Sequence, residues 1–282
     1  PAEKLNSEIK ATGKKAAYIN IQEEGGTLKT IDKGIKIASS WIKNIKDEER
    51  VPVDISELTI GLECGGSDAT SGLFANPVLG YVSDLVARKG GTSILSETTE
   101  LIGAEHILAR KACSKEVADK IFLIVNNIEK KAKDMNVDIR CTQPSPGNQK
   151  GGITTIEEKS LGCISKAGSS IINEVVDYAI PPRKKGLVIM DTTGFDVESG
   201  TGMISGGAQI ILFTTGRGTP LGSPIAPVIK ITGNNKTYMK MSDDIDFNAG
   251  VLINRIVYLE VDGTFLFKEL ILLASMEIPK AG

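Results

Sequence analysis

Leu58-Thr-Ile-Gly-Leu62, followed by Glu63-Cys64-Gly-Gly66-Ser67-Asp68-Ala-Thr-Ser71-Gly72-Leu-Phe-Ala-Asn76-Pro77, is an apolar run, a glycine-rich polar turn and the opening of a helix. The same unit recurs along the chain. Apolar runs predict strands at 58–62, 92–96, 138–142, 186–191, 208–213 and 227–232. Apolar periodicity predicts helices over 77–89, 100–111, 115–135, 155–167 and 170–178. Such alternation points to an α/β fold whose mostly parallel, Rossmann-like sheet is flanked by helices. Gly90-Gly91, Gly168 and Pro181-Pro182 supply helix stops, and 265–275 reads as a closing amphipathic helix.

Upstream, 2–12 reads as a helix, 16–21 as a short strand and 22–27 as a loop. A helix over 31–46 carries apolar residues at Ile31, Ile35, Ile37, Ala38, Trp41, Ile42 and Ile45, with Trp41 expected in a core. A charged connector at 47–52 divides a small N-terminal strand-helix segment, 1–50, from an α/β core, 51–282. The chain begins at Pro1 in helix-like sequence, so the reading is of a piece continuing an upstream region.

Strand-to-helix turns are where open α/β sheets hold ligands. On this layout Cys64–Asp68, Glu97–Glu100, Gln143–Gly152, Asp191–Gly194 and Thr214–Arg217 all follow strands. The densest stretch is Gln143-Pro-Ser-Pro-Gly-Asn148-Gln-Lys-Gly-Gly152-Ile-Thr-Thr-Ile-Glu157-Glu158-Lys159-Ser160-Leu-Gly162. Its prolines and glycines forbid regular structure. Thr154 with Glu157, or Thr155 with Glu158, then fits a capping box opening a helix whose free amides suit an anion.

Composition narrows the classes. A formal charge of −2 over 282 residues, with 41% hydrophobic and 24% charged residues, fits a globular chain with no nucleic-acid or anionic-membrane partner. No apolar run is long enough to span a bilayer and no signal peptide is evident, so a cytoplasmic setting is the expectation. The four cysteines, Cys64, Cys113, Cys141 and Cys163, form no C-x-x-C pair and read as free thiols.

The Gly61–Pro77 and Gln143–Gly162 stretches, with Gln22-Glu-Glu-Gly-Gly26-Thr27, Gly103-Ala-Glu105 and Phe213-Thr-Thr-Gly-Arg217-Gly-Thr-Pro-Leu-Gly222, resemble the altronate and galactarate dehydratase family, which includes the large subunit of sulfolactate sulfo-lyase. The resemblance runs from about residue 16 to 275. It implies a divalent-metal-dependent lyase, with Fe²⁺ or Mn²⁺ as cofactor, that eliminates water from a hydroxy-acid substrate such as altronate or galactarate, or sulfite from a sulfo acid. A small β-rich domain upstream or on a separate chain, and a homodimer, are further expectations. Without such an upstream region the chain is expected to turn over altronate, galactarate or sulfolactate weakly or not at all.

That chemistry requires a stabilised enediolate, a base and a proton donor. One histidine excludes a histidine-rich site, and the lone His106 is set aside as a surface residue. Candidate metal ligands are therefore Cys64, Glu97 and Glu157. Cys64 also reads as a buried thiol and Glu157 as a cap partner. Asp68, Lys159 and Glu158 are the catalytic candidates, Lys159 requiring a lowered pKa to act as a base; a plain ion pair is the alternative. Arg217 is expected to grip a carboxylate beside Thr214 and Thr215, or else to cap a neighbouring helix. Ser67, Asn76, Ser145 and Asn148 complete the substrate-binding candidates. Two other readings stay open: an iron–sulfur site on Cys64, Cys141 and Cys163, and an anion- or nucleotide-binding regulatory module.

Overall fold

The computed structural model describes residues 1–46, 51–253 and 259–275. The side chain of Ile45 and the connector at 47–50 lie outside them. Two compact units divide the chain at Val53 and Asp54. The first holds α1 (Ala2–Ala11), α2 (Ile21–Glu24) and α3 (Thr27–Lys46). No strand forms at 16–21; instead Asn20 caps α2, its side chain accepting from the Gln22 amide at 3.0 Å. Along α3, Ile31, Ile35 and Ile42 are exposed, and Trp41 is half-buried rather than sunk in a core.

The second unit is built on a seven-stranded sheet of order β3-β4-β2-β1-β5-β6-β7, parallel throughout. Its strands are β1 (Thr59–Cys64), β2 (Thr92–Leu95), β3 (Ile172–Val176), β4 (Gly186–Met190), β5 (Ile210–Thr214), β6 (Val228–Thr232) and β7 (Phe247–Asn248). The central strands are buried on both faces, which is why they read as unbroken apolar runs. In β5 the two-residue period sends Ile210 and Leu212 into the larger core cluster and Ile211 and Phe213 into the smaller.

The helices of this unit are α4 (Asn76–Arg88), α5 (Glu105–Ala109), α6 (Lys115–Asp134), α7 (Ile139–Thr142), α8 (Pro146–Lys150), α9 (Ile156–Ile164), α10 (Asp196–Ser205), α11 (Asn235–Lys240) and α12 (Leu259–Ala274). Among the described residues, no helix is long and apolar enough to cross a membrane. The expected closing helix is thus present, starting six residues earlier than 265.

Several sequence expectations are corrected. The run at 138–142 is the single helical turn α7, because the Asp138 side chain accepts from the Arg140 amide at 2.9 Å and Arg140 pairs with Glu129 at 2.8 Å. Gln143–Gly152 therefore does not follow a strand. The stretch 170–178 is the edge strand β3, not a helix; its pairs Ile171-Ile172 and Val175-Val176 favour a pleated surface. Pro181-Pro182 consequently follows a strand. The helix expected over 100–111 breaks at Gly103, whose φ of +89° follows a 3₁₀ turn at Thr98–Leu101, and Glu105 accepts the Gly103 amide at 2.6 Å.

Position is set by close packing around α4. Its residues Val78, Leu79, Val82 and Val86 are fully buried. A Cβ at Gly80 would stand 2.2 Å from the Ser165 carbonyl oxygen, so the helix and the turn Ser165–Ala167 touch backbone to backbone. Four residues on, Asp84 accepts from the Ser169 and Ser170 amides and hydroxyls at 2.5–3.0 Å. Burial raises its carboxyl, but these hydrogen bonds outweigh that and hold it below the usual aspartate value.

Gly80→Ala should destabilise the fold by about 1–3 kcal/mol through overpacking, whereas Gly200→Ala, with no atom within 4 Å of the new Cβ, should stabilise α10 by about 0.5–1 kcal/mol; denaturant titration reads both. Because the folded Asp84 value lies below the unfolded one, its contribution is present above the ordinary aspartate range and is lost as pH falls through the folded value. Asp84→Asn should accordingly lower Tm at neutral pH and flatten the acid limb of a Tm–pH curve.

Candidate active site

β1 has β2 on one side and β5 on the other, so the sheet order reverses between β1 and β5 and opens a crevice at their carboxyl ends. Cys64 is the last residue of β1. Glu97 follows β2 in the left-handed region, at φ 65° and ψ 64°, a conformation that costs a glutamate about 1–3 kcal/mol. Its amide donates to the Thr192 hydroxyl at 2.7 Å, and its carboxylate accepts the Cys64 amide at 3.0 Å. Helix α9 supplies Cys163 from its buried face, two turns beyond Ile156 and one beyond Ser160. The Cys64 and Cys163 sulfurs and a Glu97 carboxylate oxygen all lie within 4.8 Å of one another, and all three residues are buried.

Lys166, fully buried, forms an ion pair with Glu97. Burial alone would lower the ammonium pKa, but Cys163, Cys64, Glu97 and Glu63 outweigh it and hold Lys166 well above its usual value. Glu63, on the opposite face of β1, accepts from Ser96 at 2.9 Å and Ser199 at 2.7 Å, while its Oε1 has no partner among the described residues. Burial first, then Glu97, pushes its carboxyl well above the carboxylate range. The Cys64 thiol is pushed up by its hydrogen bond with Cys163 and by burial. Asp196, at the start of α10, has its carboxylate against Gly65 and is raised to about 6 by burial and by Glu97.

Beside this cluster is a cavity of about 280 Å³, lined among others by Cys64, Ser67, Asn76, Glu100, Glu158, Lys159 and Cys163. Inside it Lys159 pairs with Glu100 at 2.7 Å and donates to the Gln143 side chain at 3.0 Å. Among the described residues, Glu100 Oε2 is buried without a partner. Burial, with Glu97, raises the Glu100 carboxyl against the pull of Lys159; burial lowers the Lys159 ammonium, but Glu100, with Cys64 and Glu97, outweighs it and holds Lys159 above its usual value.

Of the expected metal ligands, Cys64 and Glu97 are thus brought together and Glu157 is not: it is exposed and pairs with Arg140 at 3.4 Å. Thr155 caps α9, accepting the Glu158 amide at 3.1 Å, and Glu158 reaches back to the Thr154 amide at 2.7 Å; those bonds hold its carboxyl below the usual range. Lys159 is in the cavity, but with a raised rather than lowered pKa. Asp68 is not there. Its Oδ1 accepts from Thr70 and Ser71 and its Oδ2 from Asn234.

Asn76 lines the cavity as a clamp, donating to the Gly162 carbonyl at 2.8 Å and accepting from Thr214 at 2.5 Å. Ser67 lines it too, its carbonyl taking a 2.8 Å bond from Asn148. Ser145 and Asn148 cap α8 reciprocally. Thr214 donates to Asn76 and Thr215 accepts the Gly218 and Thr219 amides, and neither lines the pocket that Arg217 lines. Cys141 is exposed and bonded to Asp138, away from Cys64 and Cys163, which removes the three-cysteine cluster.

Lys166 and Glu63 escaped sequence reasoning, Glu100 entered it only as the end of the Glu97–Glu100 turn, and Cys163 only as a cluster ligand. Once Thr155 is fixed as the cap, Cys163 falls on the stripe of Ile156 and Ser160, a signal that equally suits a core thiol. Nothing local distinguishes Lys166 from the chain's other lysines.

Fold and site together define a doubly wound α/β protein with a thiol–carboxylate crevice at its switch point. Residues 55–281 match the family described as D-galactarate/Altronate dehydratase, C-terminal, and the chain belongs to that family. It is 40% identical over 222 residues to the altronate dehydratase of Bacillus subtilis (strain 168), covering 79% of this chain and 44% of that protein. It is 36% identical over 262 residues to the galactarate dehydratase (L-threo-forming) of Escherichia coli (strain K12), covering 92% and 50%. To the (2R)-sulfolactate sulfo-lyase subunit beta of Chromohalobacter salexigens it is 34% identical over 269 residues, covering 95% and 69%. The chain spans about half the length of the dehydratases it matches.

Because the Lys159–Glu100 pair is nearly buried, Lys159→Met should cost about 3 kcal/mol by stranding the carboxylate. Adding Glu100→Gln should recover part of that loss. Urea denaturation of the single and double variants measures the coupling.

Proposed function

We propose that this chain forms the catalytic core of a hydro-lyase that removes water from a sugar acid of the altronate or galactarate kind. The observation that carries the reading is the meeting, in one crevice, of the Cys64–Glu97–Cys163 cluster with the Lys159–Glu100 pair. Membership of a dehydratase family supports it.

The cluster's donors fit a divalent transition ion. Lys166 faces the acidic groups Cys163, Cys64, Glu97 and Glu63, and Lys159 acts on Cys64 and Glu97, so a cluster with both thiols as thiolates would call for further positive charge. Two sulfurs with one oxygen suit Fe²⁺ better than the harder Mn²⁺ or Mg²⁺. Cys64, Glu97 and Cys163 would hold the ion, which when bound would supply Lewis-acid polarisation of a substrate carboxylate. Lys166 fixes the Glu97 side chain through their ion pair. Glu100, through its unpartnered Oε2, takes the proton next to the substrate carboxylate; its raised pKa moves it toward the range of an effective base. Lys159, kept charged, gives its Nζ proton to the departing hydroxyl. Leu73 and Leu161 line the same cavity.

Sulfite elimination from a sulfo acid is the second reading, favoured by the relative that shares 95% of this chain and 69% of its own length. It needs the same proton removal with a different leaving group.

The test combines anaerobic Fe²⁺ titration with assays of keto-acid formation from altronate and galactarate and of sulfite release from sulfolactate. Cys64→Ser, Glu97→Gln and Cys163→Ser should each weaken Fe²⁺ binding by about tenfold or more, with Glu157→Gln unchanged. Glu100→Gln should keep Fe²⁺ affinity and lower kcat by about a hundredfold or more. Unchanged Fe²⁺ affinity in all three cluster variants would remove the ion from this crevice, and sulfite release without keto-acid formation from either sugar acid would favour the second reading.

A further inference from the structure

A second pocket, of about 400 Å³, opens at the carboxyl ends of β5 and β6 and shares no lining residue with the first. Arg217, Lys150 and Lys240 all line it, and among the described residues none of the three side chains has an ion-pair or hydrogen-bond partner. The carboxylate in its wall, Asp68, does not neutralise them. Thr70, Ser71 and Asn234 already donate to both of its oxygens at 2.6–3.2 Å.

The frame around these cations is fixed. The Arg217 amide donates to the Gly66 carbonyl at 3.0 Å, Thr237 donates to the Gly216 carbonyl at 2.7 Å, and the Gly218 and Thr219 amides bond Thr215 at 3.0 Å. A Cβ at Gly147 would lie 1.8 Å from Arg217 Nη1, so the guanidinium rests directly on bare backbone. A Cβ at Gly216 would lie 2.2 Å from the Asp68 carboxyl carbon. Glycines thus let three loops meet, leaving a planar cationic fork and two ammonium groups around an open space.

We propose that this pocket is an oxyanion seat, separate from the crevice at Cys64, that takes a carboxylate or phosphate group on a small molecule. A fork of parallel N–H donors matches either group bidentately, and the two lysines add charge without demanding geometry. The group comes either from the far end of a dicarboxylate substrate, in which case the inference rests on the function proposed above, or from a separate phosphate-like anion.

Calorimetric titration of the chain with inorganic phosphate, galactarate and altronate tests this without reference to turnover. Wild type should bind phosphate or galactarate saturably. Arg217→Gln with Lys150→Gln should weaken that binding by about tenfold or more, and Arg217→Lys by less. These side chains are exposed, so Tm should hold; Lys240→Gln serves as a milder variant. A loss for galactarate but not for altronate, which has one carboxylate, assigns the seat to the substrate's far end, and a loss for phosphate alone assigns it to a separate anion. Absence of saturable binding by phosphate and galactarate, or affinities within about twofold of wild type in the folded double variant, overturns the proposal.

Discussion

The buried pair between Lys166 and Glu97 is the constraint on which the crevice depends. Both groups are buried, and stranding either charge would cost on the order of 3–5 kcal/mol. The pair therefore ties the turn after α9 to the turn after β2. It also holds Glu97 in its left-handed conformation, with help from the Thr192 hydroxyl and the Cys64 amide. Once that carboxylate is fixed, Cys64 at the end of β1 and Cys163 on α9 have one place to meet.

Packing supports this electrostatic centre from behind. Gly80 brings α4 onto the turn that carries Lys166, and Asp84, one turn further along, gathers the amides of Ser169 and Ser170. Asn76 at the head of the same helix bonds both α9 and β5. One helix thus sets the depth of Lys166, the position of α9 and the mouth of the crevice. On the other face of the sheet, Gly61 makes room for Met203 and Ile211 where a side chain would collide.

Much of this architecture was legible. Strands β1, β2, β4, β5 and β6 and helices α4, α6 and α9 stand where apolar runs and periodicity put them, because strands covered on both faces must be apolar throughout. Two segments misled for opposite reasons. At 138–142 apolar and β-branched content was overruled by the Asp138 cap and the pairing of Arg140 with Glu129. At 172–176 the alternation of polar Asn173 and Glu174 with Ile and Val resembled a helix stripe, and only pairing with β4 at the sheet edge makes it a strand.

What the sequence determined by itself was local: the capping of α9 by one of Thr154 and Thr155, the glycine-rich turns beyond β1 and β5, the apolar strands, and Cys64 and Glu97 as residues at strand ends. Those follow from backbone sterics and from hydrogen bonds between near neighbours. Tertiary structure decided which of the polar residues meet. Glu157 and Glu158 are adjacent in the chain, yet one faces Arg140 in the open and the other the cavity. Lys166 lies 69 residues from Glu97 and Glu63 lies 136 from Ser199. Arg217 and Thr215, two residues apart, serve a cationic pocket and a turn respectively. Contacts between such distant residues are fixed by strand order and helix depth, and a pattern read along one chain carries no record of either.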